Sequence, residues 1–344
     1  MDGSNLGKLP AVSVLMSVYN TKEAFLREAI ESILNQTFRD FEFIIVLDGP
    51  TDDSPTVVRS YHDDRIIVLE NERNLGISKS WNKGLAIARG KYIAKTAADD
   101  VSLPRRLEIQ FSYMEAHPDA DVLDAGMLCF GAVEPRRVYP SHGRDSNVIK
   151  ARMLFFNAGL IDTSAFIRRS FLEKHAICFD ESFFYSSDYK LWHDAAWAGG
   201  RMHSLRKVLV KYRVHNAQIT KKVRKDAVCG TGNDYAARLV RTQVERLLGP
   251  IDDHVFAVHN AIYMVNMDIP VAECDAHITR LIEANRQKKL YEPESFRKVI
   301  LSIWLLTEFR MLRQFHSTRS LKSKYFLPSL APSIVLHTAK WKLL

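Results

Sequence analysis

The stretch "AVSVLMSVYNTKEAFLREAIESILNQTFRDFEFIIVLDG", residues 11–49, decides the fold class. Its apolar run from Ala11 to Val18 predicts a buried strand, and "FEFIIVLDG" predicts a second one. The segment between them, "TKEAFLREAIESILNQ", has apolar side chains near helical spacing and predicts an amphipathic helix. Continuous apolar strands separated by helices are typical of a mainly parallel sheet that is covered by helices on both faces.

The alternation of strands and helices continues to about residue 130. Three further strands are predicted in "RIIVLEN", "KYIAKTA" and "DVLDAGMLCF", and the segment "LPRRLEIQFSYMEAH" predicts a helix with Pro104 in its first turn. The pattern is less regular from about 131 to 220, and helices dominate from about 225 onward. We therefore predict an α/β fold followed by a helical C-terminal region.

Composition narrows the class of protein. The chain has 344 residues, a formal net charge of +8 and four cysteines without a CxxC pair, which argues against a zinc knuckle or a disulfide scaffold. The run "VILSIWLL" has eight residues, whereas about 20 are needed to cross a bilayer. The first apolar run lacks the flanks of a signal peptide. We therefore expect a cytoplasmic protein.

Polar residues collect where the predicted strands end. "SVYN" at residues 17–20, Asp48 and the pair Asp99–Asp100 each follow a strand, and ligands of such sheets bind at the carboxyl ends of the strands. No GxGxxG follows the first strand, and "GLAIARGKY" fails the P-loop spacing. A diphosphate would then be held by Mg²⁺ or Mn²⁺ on carboxylates. The alternative is that the aspartate pair only caps the next helix.

The residues from 12 to about 125 resemble the nucleotide-binding half of inverting family-two glycosyltransferases with the GT-A fold. The resemblance continues through "FIRRSFLEKHAICFDESFFYSSDYKLW" and "YRVHNAQIT" to about residue 220. It implies a GT-A domain over residues 1–224, with a nucleotide-binding half at about 10–130 and an acceptor or catalytic half at about 131–224. Residues 225–344 form the helical region with its basic, apolar tail.

The resemblance implies a nucleotide site at the strand ends. In similar enzymes the end of the first strand contacts the nucleoside, and the aspartate of the turn after the second strand reads the base. A carboxylate there accepts the N3–H of uracil or thymine, which favours UDP- or dTDP-linked sugars. The nucleotide-binding residues so implied are Ser17, Tyr19, Asp48, Asn82 and Asp99, and for Asn82 the alternative is that it only fixes a turn.

The resemblance also implies a divalent metal, Mg²⁺ or Mn²⁺, and a general base. The implied metal ligands are Asp99, Asp100 and His215, and a structural role is the alternative for His215. Asp188 in "SSDYKLW" is the implied catalytic base, and the alternative is that it only caps its helix.

The chain departs from the family pattern at several positions. Ala97 stands where the metal motif has its first aspartate, Ser187 replaces the glutamate before the base, and Leu47 and Pro50 differ in the base-reading turn. A catalytically weak relative that binds sugar nucleotides is therefore the alternative function. The sequence pI of 9.2 raises a nucleic-acid binder as a third reading, but no nucleic-acid module is recognisable and we expect no such partner.

We thus expect an inverting transfer, in one displacement, of a sugar to a hydroxyl of a growing surface glycan. The acceptor would be a glycan or a lipid-linked glycan. The tail from 319 to 344 mixes basic and apolar side chains, which predicts contact with an anionic membrane surface such as the inner face of the plasma membrane. The alternative is that this tail packs back on the helical region.

Overall fold

A computed structural model describes residues 9–132, 138–139, 145–155, 160–183, 185–218, 234–264, 268–315, 323–325 and 335. The chain divides into two compact units. The first contains Met1–Arg144 and Leu160–Gly232, and the second contains Asp145–Gly159 and Asn233–Leu344. The domain boundary predicted at residue 224 lies outside the described residues.

The first unit is built on four parallel strands in the order β3-β2-β1-β4. They are β1 (Val12–Val18), β2 (Phe41–Asp48), β3 (Ile66–Asn71) and β4 (Tyr92–Ala97). Every residue of β2 is buried, which explains why its sequence is apolar from Phe43 to Leu47 instead of alternating. The predicted parallel sheet is confirmed in this half.

Helices cover both faces of these strands, as predicted. They are α1 (Glu23–Leu34), α2 (Ser54–Arg59), α3 (Ile77–Ile87) and α4 (Arg106–Ala116). Helices α1, α2 and α4 contribute to the core that contains Val14 and Met16. On the opposite face, Gly84 of α3 lies against Leu15 and Ile44.

The sheet becomes mixed beyond β4. Its order continues β4-β8-β6-β9-β5, and β7 pairs with β6. Strand β8 is antiparallel to both β4 and β6, whereas β9 runs parallel to β6. The added elements are β5 (Val101–Ser102), β6 (Val122–Gly131), β7 (Val138–Tyr139), β8 (Phe166–Arg168), α6 (Arg169–Lys174), α7 (Ser187–Trp197) and β9 (Met202–Val214).

The second unit is helical, as predicted for the C-terminal region. Its helices are α5 (Ser146–Arg152), α8 (Asp234–Leu248), α9 (Asp253–Ala261), α10 (Val271–Lys288) and α11 (Pro293–Phe315). Helix α10 buries one apolar face, which includes Cys274, Ile278 and Leu281. No helix in the described part of the chain is long and apolar enough to cross a bilayer.

Part of the predicted membrane-binding tail is docked on the second unit. Ser323 accepts a hydrogen bond from the indole of Trp304 at 3.0 Å and donates one to Asp275 at 2.7 Å. Tyr325 packs on the buried pair Leu301 and Leu305. At these positions the tail packs back on the helical region, which is the alternative to membrane contact. Most of the remaining tail lies outside the described residues.

Candidate active site

A cavity of about 770 Å³ opens in the first unit beyond the ends of β1, β2 and β4. Ile77 and Trp81 of α3 form part of its wall. The residues of the predicted site that line this cavity are Ser17, Tyr19, Asp48, Asp99 and His215. The structure therefore brings together side chains that are almost 200 residues apart in the chain.

Asp48 is buried at the end of β2, with 2% of its surface exposed. Its Oδ1 accepts hydrogen bonds from Asn71 Nδ2 and from the backbone N–H of Leu75, both at 2.8 Å. Its Oδ2 accepts one from the N–H of Gly76 at 3.0 Å. Because a carboxylate has about four acceptor positions, one position on Oδ2 is left for a ligand in the cavity.

The turn after Asp48 needs a glycine. Gly49 has a φ of +58°, and a Cβ at this position would lie 2.2 Å from the carbonyl carbon of Arg73. The end of β2 can therefore pass close to the connection between β3 and α3. Asn20, at the end of β1, accepts a hydrogen bond from the N–H of Thr51 at 2.8 Å and so ties the two strand ends together.

Asp99 and His215 form a pair on the cavity wall. His215 Nε2 and Asp99 Oδ2 are 2.8 Å apart, and both side chains are about one-quarter exposed. One carboxylate and one imidazole suit Mn²⁺ better than Mg²⁺, which prefers oxygen ligands, if phosphate oxygens and water complete the coordination. Among the described residues, no group of three or more His, Cys, Asp or Glu side chains is arranged to hold a metal. The residues present thus fit an ion that is shared with a diphosphate.

The structure places Asp100, a predicted metal ligand, away from the cavity wall. Its side chain is 1% exposed and does not line the cavity, and its Oδ1 accepts a hydrogen bond from the N–H of Arg213 at 2.8 Å. Burial, with the charge of Asp99 adding to it, raises the pKa of Asp100 to about 7. The Thr163 hydroxyl opposes this rise, although the two side chains do not reach hydrogen-bonding geometry. Asp100 thus fixes β9 through Oδ1, while its buried Oδ2 makes no hydrogen bond to the described residues.

The aspartate pair does not cap α4 either. The N-cap of α4 is Arg105, which makes no side-chain cap hydrogen bond. The next residue, Arg106, is fully buried, and its guanidinium donates to Ser102 Oγ at 3.0 Å and to the Lys95 carbonyl at 2.6 Å. Burial lowers the pKa of Arg106 to about 9, and the charge of Asp100 opposes that change.

Arg213 positions the cavity pair and was not anticipated from the sequence. Its Nε donates to the Asp99 carbonyl at 2.8 Å, and a terminal nitrogen pairs with Glu28. The rings of Phe25 and Phe130 lie 4.2 and 4.4 Å from its guanidinium carbon. A cation held by rings and a carboxylate is a rigid support for the loop that carries Asp99.

The structure also corrects the nucleotide contact predicted for Asn82. This side chain is not part of the cavity wall. Its amide donates to the Phe179 carbonyl and accepts from the Phe179 N–H, both at 2.9 Å. Asn82 therefore holds the segment around Phe179 against α3. This is a structural role, the alternative to a nucleotide contact.

Asp188 is the second residue of α7 and is half-buried. The N-cap of this helix is Ser186, whose φ is +58° and whose side chain makes no cap hydrogen bond. Asp188 does not line the cavity, but Tyr185, three residues earlier, does. Trp192, on the same helix, is 1% exposed and belongs to the core. The catalytic role of Asp188 stays a prediction.

Sequence reasoning missed a charged pair at the cavity. Lys95 of β4 is 2% exposed and pairs with Asp162, and both residues line the cavity. The available signal was a lysine inside the apolar strand "KYIAKTA". Lys and Asp side chains are rarely buried without a partner, so the lysine in this strand predicts an acidic partner nearby.

Comparisons with known proteins agree with this geometry. The profile of "Glycosyl transferase family 2" matches residues 13–176. "Uncharacterized glycosyltransferase MJ1057" of Methanocaldococcus jannaschii is 39% identical over 212 residues, which are 60% of this chain and 72% of that protein. "Amylovoran biosynthesis glycosyltransferase AmsE" of Erwinia amylovora is 28% identical over 216 residues, 61% of this chain and 79% of that protein.

Two solved structures share the fold. S. aureus TarS 1-349 in complex with UDP-GlcNAc has a TM-score of 0.53 and 17% identity, and the match covers 92% of each chain. Mannosyltransferase PcManGT from Pyrobaculum calidifontis, in complex with GDP-Man and Mn²⁺, has a TM-score of 0.53 and 15% identity and covers 97% of this chain and 88% of that one. On the profile, the relatives and the fold together, the chain belongs to glycosyltransferase family 2 and is a glycosyltransferase with a GT-A fold.

Proposed function

We propose that the protein transfers a sugar, with inversion at the anomeric carbon, from a nucleoside diphosphate sugar to a hydroxyl of a surface glycan. The observation that carries this proposal is one cavity that lies at the ends of β1, β2 and β4 together. It combines a fixed base-reading carboxylate, Asp48, with the pair Asp99 and His215. These groups match the two halves of a nucleoside diphosphate.

The nucleoside would lie on the Asp48 side of the cavity. The remaining acceptor position of Asp48 suits the N3–H of uracil or thymine. Tyr19, which is 48% exposed, and Ser17 extend the same wall. The UDP and UDP-GlcNAc complexes of S. aureus TarS, a protein of the same fold, support a uridine donor.

The diphosphate would lie against Asp99 and His215. A divalent ion held by these two side chains would neutralise the charge that develops on the leaving diphosphate. The Mn²⁺ in the structure of Mannosyltransferase PcManGT supports this assignment. Arg213 holds the Asp99 backbone in place and so keeps Asp99 and His215 at the cavity wall.

Asp188 is our candidate for the general base. It would take the proton of the acceptor hydroxyl as that oxygen bonds to the anomeric carbon and the bond from this carbon to the diphosphate breaks. Its place in the first turn of α7 supports the role, since the helix dipole favours a negative charge there. The product is a new glycosidic bond of inverted configuration and a free nucleoside diphosphate.

The acceptor is inferred from the relatives. AmsE, named for amylovoran biosynthesis, supports a polysaccharide acceptor. A lipid-linked glycan would bring the protein to the inner face of the plasma membrane, and the basic tail would assist there. The tail residues that dock on the helical unit limit that assistance to the rest of the segment.

Calorimetry with UDP, in Mn²⁺ and in EDTA, tests the proposal, followed by a transfer screen with UDP-, dTDP- and GDP-sugars. We expect UDP to bind in Mn²⁺ and to bind more weakly in EDTA. Equal affinity in both would remove the metal from the proposal. UDP-sugar binding without transfer to any glycan acceptor, and without donor hydrolysis, would favour the catalytically weak relative suggested by Ala97 and Ser187.

A further inference from the structure

An ion pair with a buried lysine forms part of the cavity wall. Lys95 projects from β4 with 2% of its side chain exposed, and its Nζ pairs with Oδ1 of Asp162. The Asp162 side chain is 35% exposed and lines the cavity. The pair thus has a buried cationic half and an accessible anionic half.

Three aromatic rings hold the lysine in place. Its Nζ lies 4.5 Å from the ring centre of Phe179, 4.7 Å from Trp81 and 5.7 Å from Trp192. Asn82 fixes the Phe179 backbone, so this cage is itself braced. A cation in an aromatic cage with one carboxylate partner has little freedom to move. Lys95 is therefore a positioning residue for Asp162.

The backbone that carries Asp162 is equally constrained. Asp162 opens a short 3-10 turn that ends at Ser164. The Ser164 hydroxyl accepts from the N–H of Ala125 at 2.9 Å, and its carbonyl accepts from Gln110 Nε2 at 2.7 Å. Oδ2 of Asp162 makes no hydrogen bond to any residue in the described ranges, while Oδ1 is held by Lys95. One carboxylate oxygen thus remains available at a fixed place on the cavity wall.

The order of the strands indicates which part of a nucleotide-sugar donor would lie near Oδ2 of Asp162. Asp48 ends β2, Ser17 lies at the end of β1, Asp99 follows β4, and Asp162 comes just before β8. The sheet order β2-β1-β4-β8 therefore places these four side chains in sequence across the cavity. If the nucleoside lies at Asp48 and the diphosphate at Asp99, as the proposed function requires, the sugar lies next to Asp162.

We propose that Asp162, oriented by Lys95, accepts a hydrogen bond from a hydroxyl of the donor sugar and thereby selects the sugar. The inference rests on the proposed function and refines it. The ligand would be a neutral hexose with a hydroxyl at the position facing Asp162. A site built to bind a hydroxyl rejects the deoxy analogue strongly, because its own polar group is then left without a partner.

The test uses the full chain in Mn²⁺ and compares the dissociation constants of UDP, UDP-glucose, UDP-N-acetylglucosamine and the monodeoxy forms of UDP-glucose. We expect one deoxy form to bind about ten- to a hundredfold more weakly than its parent, the loss of one hydrogen bond to a charged acceptor. The double variant Lys95→Met/Asp162→Leu removes both charges and the accepting oxygen, so no lone charge stays buried. It should lose this discrimination and keep the affinity for UDP.

Asp119→Asn is the matched control, because Asp119 belongs to an exposed ion pair with Arg201 and does not line the cavity. It should keep the full discrimination. Deoxy-sugar discrimination that survives in the double variant would overturn the inference, as would a change in acceptor KM with unchanged donor binding. Failure of the parent protein to bind UDP would instead contradict the proposed function. Circular dichroism of the double variant guards against misfolding, and Lys95→Met/Asp162→Ala serves as a second variant.

Discussion

The two units use their polar side chains differently. In the first unit, Asp48, Asp99 and Asp162 each bind protein groups with part of their carboxylate and line a cavity with the rest. In the second unit, His259 uses both ring nitrogens inside the unit. Its Nδ1 lies 3.1 Å from Nε2 of His277, and its Nε2 lies 2.9 Å from a backbone carbonyl.

Asp275 of the second unit shows the same contrast. Its Oδ1 accepts from the Ser323 hydroxyl and its Oδ2 from the N–H of Lys324, at 2.7 and 2.8 Å. A buried polar group whose atoms are all bonded contributes to stability, whereas one with an accessible atom beside a cavity can recognise a ligand. Changes in the first unit should therefore alter binding or rate, and changes in the second should alter stability.

The largest effect is expected at the candidate base. Asp188→Asn keeps the side-chain shape but cannot take a proton, so the transfer rate should fall by about a hundred- to ten-thousandfold. Donor affinity, measured by calorimetry, should stay within about twofold of the parent, since Asp188 is outside the cavity wall. If the variant transfers sugar at nearly the parental rate and has a lower Tm, Asp188 is a structural residue. It would then contribute to stability, as the buried polar residues of the second unit do.

The next effect concerns pH and the second unit. Burial lowers the pKa of His259 to about 3 and that of His277 to about 4. Both are neutral in the folded protein, whereas in the unfolded chain they take up protons below about pH 6.5. Their contribution to stability is thus complete above that pH and declines as the pH falls, by about 2 kcal/mol for each histidine at pH 5.

Hydrogen exchange of α9 and α10 at pH 7.5 and 5.0, corrected for intrinsic rates, measures this decline. His277→Gln should reduce the acid sensitivity because a neutral amide replaces one of the titrating rings. His254→Gln is the control, since His254 is an exposed histidine of α9 paired with Glu273. Equal acid sensitivity in both variants would show that the buried pair is not its source.

A smaller effect separates two neighbouring aspartates. Asp99→Asn should weaken the Mn²⁺-dependent binding of UDP by about ten- to a hundredfold, because a charged ligand is lost. Asp100→Asn can still accept the hydrogen bond from Arg213 and should leave that affinity within about twofold. Calorimetry of both variants measures the difference. Equal losses would mean that Asp100 acts at the cavity after all.

The smallest effect is expected where the tail docks. Ser323→Ala removes the hydroxyl shared by Trp304 and Asp275 and should lower the free energy of unfolding by about 1–3 kcal/mol. Tyr325→Phe removes only a hydrogen bond to Thr279 and should cost about 1 kcal/mol or less. Urea unfolding followed by tryptophan fluorescence compares them. A change in UDP affinity in either variant would contradict the conclusion that changes in the second unit alter only stability.

Much of the first unit could be read from the sequence because its signals are local. Apolar strands such as β2 and an amphipathic pattern such as that of α1 report burial directly. The positions of Asp48 and Asp99 after strands were enough to place them at one edge of the sheet. The resemblance then supplied the roles that periodicity alone does not give.

What the sequence did not reveal depends on contacts between distant segments. Adjacent aspartates look alike in sequence, yet Asp99 faces the cavity and Asp100 faces the backbone of β9, 113 residues later. Asn82 was read as a ligand contact because nothing local shows that Phe179 takes up its amide. Burial and hydrogen-bond partners are set by the packing of β9 and α3.

The sequence by itself thus determined the α/β class, the helical C-terminal region and the strand ends that carry the site. Only the tertiary structure decided which polar side chains retain an atom for a ligand. The Lys95–Asp162 pair illustrates the reason: its partners are 67 residues apart, and its lysine is stabilised by rings from three segments. Electrostatic and aromatic contacts act over a few ångströms in space, and the spacing of residues along a chain does not record them.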